Sequence, residues 1–78
     1  MNGFDKYRRM SKLYKAMYPK GTRVEVILME NDPKPIMPGT KGTVVAVDDM
    51  CTIHCDFDNG RSLGLIPGED QFKIIKEE

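Results

Sequence analysis

The stretch PGTKGTVVAVDDMCTIHCDFDNG, from Pro38 to Gly60, decides the fold of this chain. Its run from Thr43 to Val47, apolar from Val44 onward, and its alternating run from Thr52 to Phe57 are typical of two short β-strands separated by an acidic turn. Asp-Asn-Gly closes the stretch, and Asn-Gly is a strong hairpin signal because a type I′ turn requires positive φ at both central residues. We therefore predict a type I′ hairpin turn there and a further strand from Arg61.

Three more segments extend the pattern to five strands. The first strand is predicted over Thr22 to Met29 and the fifth over Phe72 to Ile75. The fourth is predicted over Arg61 to Ile66, where Leu63 and Leu65 alternate with smaller residues. Glu30 to Pro38 contains three prolines and must be a loop. Five short strands with a long first loop indicate a small SH3-like barrel, whose closure would remove the exposed sheet edges.

An amphipathic helix precedes the predicted barrel and ends before Pro19 and Gly21. One helical face carries the apolar residues at a spacing of three to four and forms a stripe: Phe4, Tyr7, Met10, Leu13, Tyr14 and Met17. An isolated helix of this length is marginal in water. Either the stripe packs on the barrel or it docks onto another protein. We thus predict a mostly β fold with two parts, a helix over residues 1–18 and a five-stranded SH3-like barrel over residues 19–78.

The length of 78 residues predicts one domain with little room for a deep catalytic pocket. No apolar run approaches the roughly 18 residues needed to span a bilayer. The N-terminus carries charges where a signal peptide would have its apolar segment. We therefore expect a soluble, cytoplasmic protein with no membrane association.

Charge is segregated along the chain although the net charge is zero. From Met1 to Arg23 there are seven basic residues and one acidic residue, whereas the remainder has five basic and eleven acidic residues. This pattern describes a basic arm attached to an acidic body. Either the arm binds a polyanion or it lies against the body and neutralises it.

Catalytic and metal-binding chemistry are not expected from the residues present. Strand periodicity places His54 opposite Cys51 and Cys55, so the three cannot converge on zinc, and about 13 Å of strand between the cysteines excludes a disulfide. The lone histidine also lies on the wrong face to activate a cysteine as a nucleophile. The carboxylate pairs are explained as turn residues. We predict a protein that is not an enzyme and needs no cofactor, metal or small-molecule substrate.

The surface between the long first loop and the last turn is our candidate protein-binding site, with an acidic rim that suits a basic partner segment. Within it, Ile36 and Met37 either tuck under the barrel rim or form an exposed patch. A proline-rich ligand is not expected, since there is no tryptophan. The candidate residues are Asp32, Pro33, Ile36, Met37, Asp56, Leu65, Pro67, Glu69 and Asp70. The predicted function is a non-enzymatic, protein-binding adaptor or regulatory module.

Non-specific nucleic-acid binding by the basic helix is the alternative function. Phosphate contacts would release counterions but would not read sequence, and no base-reading motif is present. The residues concerned are Lys6, Arg8, Arg9, Lys12 and Lys15.

Several motifs resemble a bacterial family catalogued as domain of unknown function forty-three-fourteen. They are YPKGTRVEVI at 18–27, PGTKGTV at 38–44 and DNGRSLGLIPGEDQF at 58–72. The resemblance implies an SH3-like barrel in a small bacterial protein, often carried by mobile elements and phages, and implies no established activity. The chain departs from the family at Phe57, where an aromatic residue, commonly tryptophan, precedes DNG. It departs also at Met50-Cys51, which replaces a smaller and often glycine-containing turn.

Overall fold

The structure is a computed structural model that describes residues 3–76, with side chains from Lys6 onward, so that the side chain of Phe4 lies outside the described residues. Each predicted element is present; residues 1 and 2 of the predicted helix lie outside the described residues, and the other boundaries differ from prediction by at most two residues. The elements are helix α1 (Gly3–Met17) and strands β1 (Arg23–Leu28), β2 (Lys41–Val47), β3 (Ile53–Phe57), β4 (Ser62–Leu65) and β5 (Gln71–Ile74).

The five strands form one antiparallel sheet in the order β4-β3-β2-β1-β5. The mostly β fold with an N-terminal helix is thus confirmed, but no hydrogen-bond ladder between β4 and β5 closes the described sheet into a barrel. Because every neighbouring pair is antiparallel, β4 and β5 run in the same direction. A parallel pair needs a crossover of about a dozen residues, whereas only residues 66–70 connect these two strands.

The core lies on one face of the curled sheet, as the alternation of β3 illustrates. Ile53, Cys55 and Phe57 are buried, and His54 and Asp56 between them are exposed, which confirms the predicted parity. The same core contains Val24 and Val26 of β1, Val44 and Val47 of β2, Leu65 of β4, and Met29 and Ile36 from the loop after β1.

The β3–β4 turn differs from the predicted type I′ turn. Gly60 has φ of +90°, but among the described residues the one non-glycine residue with positive φ is Cys51, not Asn59. The Gly60 N–H donates to the Phe57 carbonyl (3.0 Å), and the Phe57 N–H donates to the Arg61 carbonyl (2.7 Å). This is a three-residue loop in which a type I turn is followed by a left-handed glycine, so only one residue requires positive φ.

Helix α1 packs on the sheet with only part of the predicted apolar face. Ser11 is 3% exposed, and Tyr14 and Tyr18 pack against the core. The Tyr18 ring lies 5.8 Å from the Phe72 ring of β5, edge to face. In contrast, Leu13 and Met17 of the predicted stripe are 58% and 47% exposed. The hydroxyl of the buried Ser11 donates to the Arg8 carbonyl within the helix (3.0 Å), so its polar group is satisfied.

Candidate interaction surfaces

The β1–β2 loop, residues 29–40, is fixed to the body at its base. The Gly39 N–H donates to the Val26 carbonyl (2.8 Å), and the Val26 N–H donates to the Thr40 carbonyl (2.9 Å). Ile36 is fully buried beneath the loop, and its N–H points to Sδ of Met29 (3.4 Å). Met37 comes next in the chain and is 67% exposed. The loop therefore holds one large apolar side chain in solvent on a restrained backbone.

Two residues of the predicted protein-binding set cannot contact a partner in this fold. Ile36 and Leu65 are both 0% exposed, because their side chains fill the core. For Met37 the exposed alternative is correct, and for Ile36 the tucked alternative is correct. The alternation of β4 placed Leu65 on the side opposite Ser62, a sequence signal that argued against including it.

The acidic residues of the predicted rim largely shape turns. Asp32 Oδ1 accepts from the Lys34 N–H (2.8 Å), and Asp70 Oδ2 accepts from the Ile66 N–H (2.8 Å). Asp56 lies apart from both turns, on the outer face of β3, where it accepts from Ser62 Oγ (2.7 Å). Glu69 is exposed at the β4–β5 turn. The predicted set thus divides among the β1–β2 loop, the β4–β5 turn and the outer sheet face.

Polar pairs cover the outer face of the sheet. Arg23 donates two parallel hydrogen bonds to the Asp58 carboxylate (2.9 and 2.7 Å) and a third to Oγ1 of Thr43 (2.9 Å). Such a bidentate pair is the stronger kind of ionic contact. The hydrogen bond from Arg23 holds the pKa of Asp58 below its usual value.

His54 pairs with Asp48 across the β2–β3 turn, an arrangement that the sequence analysis missed. His54 Nε2 lies 2.9 Å from Asp48 Oδ2, while Asp48 Oδ1 accepts from the backbone N–H groups of Met50 (2.8 Å) and Thr52 (3.0 Å). Burial raises the pKa of Asp48, but the hydrogen bonds from His54 and the backbone outweigh it and leave that pKa below its usual value. Asp48 therefore holds the turn in shape. The signal in the sequence was an acidic residue at the start of a turn, a common acceptor for backbone N–H groups.

A shallow groove of about 350 Å³ lies beside this pair on the outer face of β2, β3 and β4. Among the side chains lining it are Val45, His54, Asp56 and Ser62. The Ser62 hydroxyl donates to Asp56, whereas His54 Nε2 faces Asp48. Serine and histidine here each have a carboxylate partner and do not form a nucleophile–base pair with each other.

Both cysteines are free thiols, and burial makes them poor nucleophiles. Burial raises the pKa of Cys55 to about 11 and also raises the pKa of Cys51. Cys51 has φ of 69° in the β2–β3 turn, and its Sγ lies 3.8 Å from the Tyr7 carbonyl of α1. Among the side chains described, those of residues 6–76, no three from His, Cys, Asp or Glu are placed to hold a metal ion.

The basic residues of α1 are exposed, and one of them links the helix to the body. Lys15 Nζ lies 2.8 Å from Asp49 Oδ1 in the β2–β3 turn. A groove of about 360 Å³ separates the helix from this turn and is lined in part by Arg8 and Asp49. The basic arm thus contacts the acidic body at this turn. The side chains of Lys6, Arg8, Arg9 and Lys12 reach solvent as well.

A family model described as Domain of unknown function (DUF4314) matches residues 7–75, which include most of α1 and all five strands. The chain belongs to the DUF4314 family. The resemblance seen in the motifs is thereby confirmed at the level of the family. A search of curated proteins found no match, and a search of solved structures found none either. Over the described part of the chain, no helix is long and apolar enough to cross a membrane.

Of the residues at which this DUF4314 member departs from the pattern described above, Phe57 and Cys51 are packed, whereas Met50 is exposed. Phe57 is 4% exposed and its ring covers Gly42 on the neighbouring strand, so a phenylalanine there changes core packing and not an exposed contact. Cys51 occupies a left-handed backbone conformation that favours glycine. The glycine-containing turn of the family pattern is thus consistent with the backbone at this position.

Proposed function

We propose that this DUF4314 protein is a non-enzymatic, protein-binding module of the adaptor or regulatory kind. The observation that carries the proposal is the exposed Met37 on the restrained β1–β2 loop. Binding loops held by a rigid scaffold lose little conformational entropy on association. Methionine is also common on binding surfaces, because its flexible thioether adapts to the shape of a partner.

The charge of the body supports a basic partner segment. The chain after Arg23 has six more acidic than basic residues, and Glu30 and Glu69 are exposed. The excess of acidic residues on the body as a whole would favour lysine- and arginine-containing partners and speed their association. We place this activity in the cytoplasm of a bacterial cell, since two free cysteines suit a reducing compartment. Carriage by a mobile element stays a prediction of the resemblance.

Affinity capture with a matched pair of variants tests the proposal. Wild-type protein, Met37→Ser and Met50→Ser are each used as bait in nuclease-treated bacterial lysate, and recovered proteins are quantified by mass spectrometry. Met50 is a suitable control because it is 57% exposed but lies in the β2–β3 turn. We expect one protein recovered stoichiometrically by wild type and Met50→Ser and lost with Met37→Ser. Equal recovery with all three baits would contradict the assigned surface.

Non-specific nucleic-acid binding is the second candidate, favoured by the exposed cationic side chains of α1. Its test is fluorescence anisotropy with duplex and single-stranded DNA and RNA at two salt concentrations. If this function is correct, affinity should fall steeply with salt and disappear when Lys6, Arg8, Arg9, Lys12 and Lys15 are changed to glutamine. A variant with Lys34, Lys41 and Lys73 changed to glutamine serves as the control. Loss of binding in both variants would exclude a specific role of the helix.

A further inference from the structure

Helix α1 carries an exposed apolar strip that the fold leaves uncovered. We define the α1 strip as Met10, Leu13 and Met17, which recur every three or four residues and so share one side of the helix. Met10 is half-buried, Leu13 is 58% exposed and Met17 is 47% exposed. The face that packs on the sheet is the neighbouring one, formed by Ser11, Tyr14 and Tyr18. The strip is therefore available to another molecule while the helix stays docked.

Cationic side chains border this strip. Lys6 lies one turn before Met10 on the same side of the helix, and Arg9 lies one turn before Leu13. Both side chains are exposed, as is that of Lys12 on the solvent-facing side. A complementary surface must therefore have an apolar centre and carboxylates around it, since like charges would repel a basic partner.

We propose that the α1 strip binds an acidic amphipathic helix of a partner protein, with apolar residues of that helix packed between Leu13 and Met17 and its carboxylates beside the lysines. This surface is separate from the β1–β2 loop, so a protein that uses both would bridge a basic and an acidic partner. Side chains at intervals of three and four form the ridges by which two helices pack. The strip runs over eight residues, from Met10 to Met17, or about 10 Å along the axis, which corresponds to two turns of a partner helix.

Other occupants fit the strip less well. Nucleic acid would be attracted by the lysines, but its phosphates gain nothing from Leu13 and Met17. A bilayer surface requires a wide apolar face, whereas here the neighbouring face is already packed on the sheet. A second copy would present the same basic helix, and its Asp48, Asp49, Asp56 and Asp58 already have side-chain partners within the chain.

A designed peptide provides the probe. It is a fluorescein-labelled acidic helix of about 18 residues, or five turns, with leucine at positions spaced by three and four and with glutamate and glutamine elsewhere. Its controls are a scrambled peptide of the same composition and a version in which lysine replaces glutamate. Anisotropy is measured with the wild-type protein, with Leu13→Ser/Met17→Ser and with the matched control Ile27→Ser/Val45→Ser. The matched control removes side chains of similar exposure, 45% and 41%, from the sheet.

We expect the acidic amphipathic peptide to bind the wild type at least about tenfold more tightly than the scrambled peptide. We also expect Leu13→Ser/Met17→Ser to weaken binding by at least about tenfold, and Ile27→Ser/Val45→Ser or Met37→Ser to change it by less than about twofold. Circular dichroism checks that each variant is folded. No binding, equal binding of the scrambled or lysine peptide, or an unchanged affinity in Leu13→Ser/Met17→Ser would each overturn the proposal. Tighter, Leu13-dependent binding to DNA or to phosphatidylserine vesicles would also overturn it.

Discussion

Replacing Gly42 by alanine should destabilise the fold, mainly through a clash with the Phe57 ring and also through a tight approach to the Asp56 carbonyl oxygen (3.2 Å). Gly42 pairs with Phe57 across β2 and β3, and a Cβ on Gly42 would lie 2.6 Å from Cδ1 and 3.0 Å from Cε1 of the Phe57 ring. Carbon atoms in contact prefer about 3.5–4.0 Å, so the ring must move by about 1 Å within a packed core. The phenylalanine is only 4% exposed and has no solvent side to move toward.

The opposing terms give the expected size of this effect. Overpacking costs about 1–3 kcal/mol. The lower backbone entropy of alanine in the unfolded chain offsets about 0.4–1 kcal/mol. We expect a net loss of about 1–2 kcal/mol in the free energy of unfolding, which lowers Tm by about 5–15 °C in a domain of this size. Thermal and urea unfolding followed by circular dichroism measure both quantities.

A double-mutant cycle separates the clash with the Phe57 ring from any other effect of the new methyl group. In a Phe57→Leu background the cost of Gly42→Ala should fall by at least about 1 kcal/mol, because the clashing ring is absent. Gly64→Ala is the control for a clash that a side chain can relieve. Its Cβ would meet the Cγ2 methyl of half-buried Thr52 at 2.4 Å, and that side chain can rotate away. A neutral Gly42→Ala, or an equal cost in both backgrounds, would refute the reasoning.

Three further predictions concern the turns and the thiols. The pKa values of Asp48 and Asp58 are lowered in the folded state. Their contribution to stability is therefore present above the unfolded value of about 3.9 and is lost as the pH falls below it. The free energy of unfolding of Asp48→Asn/Asp58→Asn, measured with urea, should change less between neutral and acid pH than that of the wild type. An equal change in both proteins would argue against these contacts. Cys51→Gly should change the free energy of unfolding by less than about 1 kcal/mol, because relief of the left-handed backbone offsets lost packing, whereas branched Cys51→Val should cost about 2 kcal/mol. If valine is tolerated as well as glycine in urea unfolding, the backbone argument fails. Cys55, whose pKa is raised to about 11 by burial, should react with iodoacetamide at pH 8 only when the protein is unfolded in urea, as followed by mass spectrometry. Rapid labelling of the native protein would show that the thiol is accessible.

The candidate surfaces were only partly predictable from the sequence. The exposed lysines and arginines of α1 follow from local composition, since charged helix positions lie at the surface, whereas the sequence left the exposure of Met37 open. The burial of Ile36 did not follow, because a loop has no periodicity from which the direction of a side chain can be read. The Asp48–His54 pair depends on how the β2–β3 turn folds back, which the sequence alone does not specify.

The sequence by itself determined the helix, the five strands and the inward face of β3, because hydrophobic periodicity and turn-forming residues are local properties of the chain. Only the tertiary structure decided which face of α1 packs on the sheet. Tyr14 with Tyr18 and Leu13 with Met17 form adjacent apolar rows of similar size, and the choice depends on which row meets Phe72 of β5, more than fifty residues along the chain. The open edge between β4 and β5 was likewise decided by strand direction and a short connection, which become visible only when all five strands are in place.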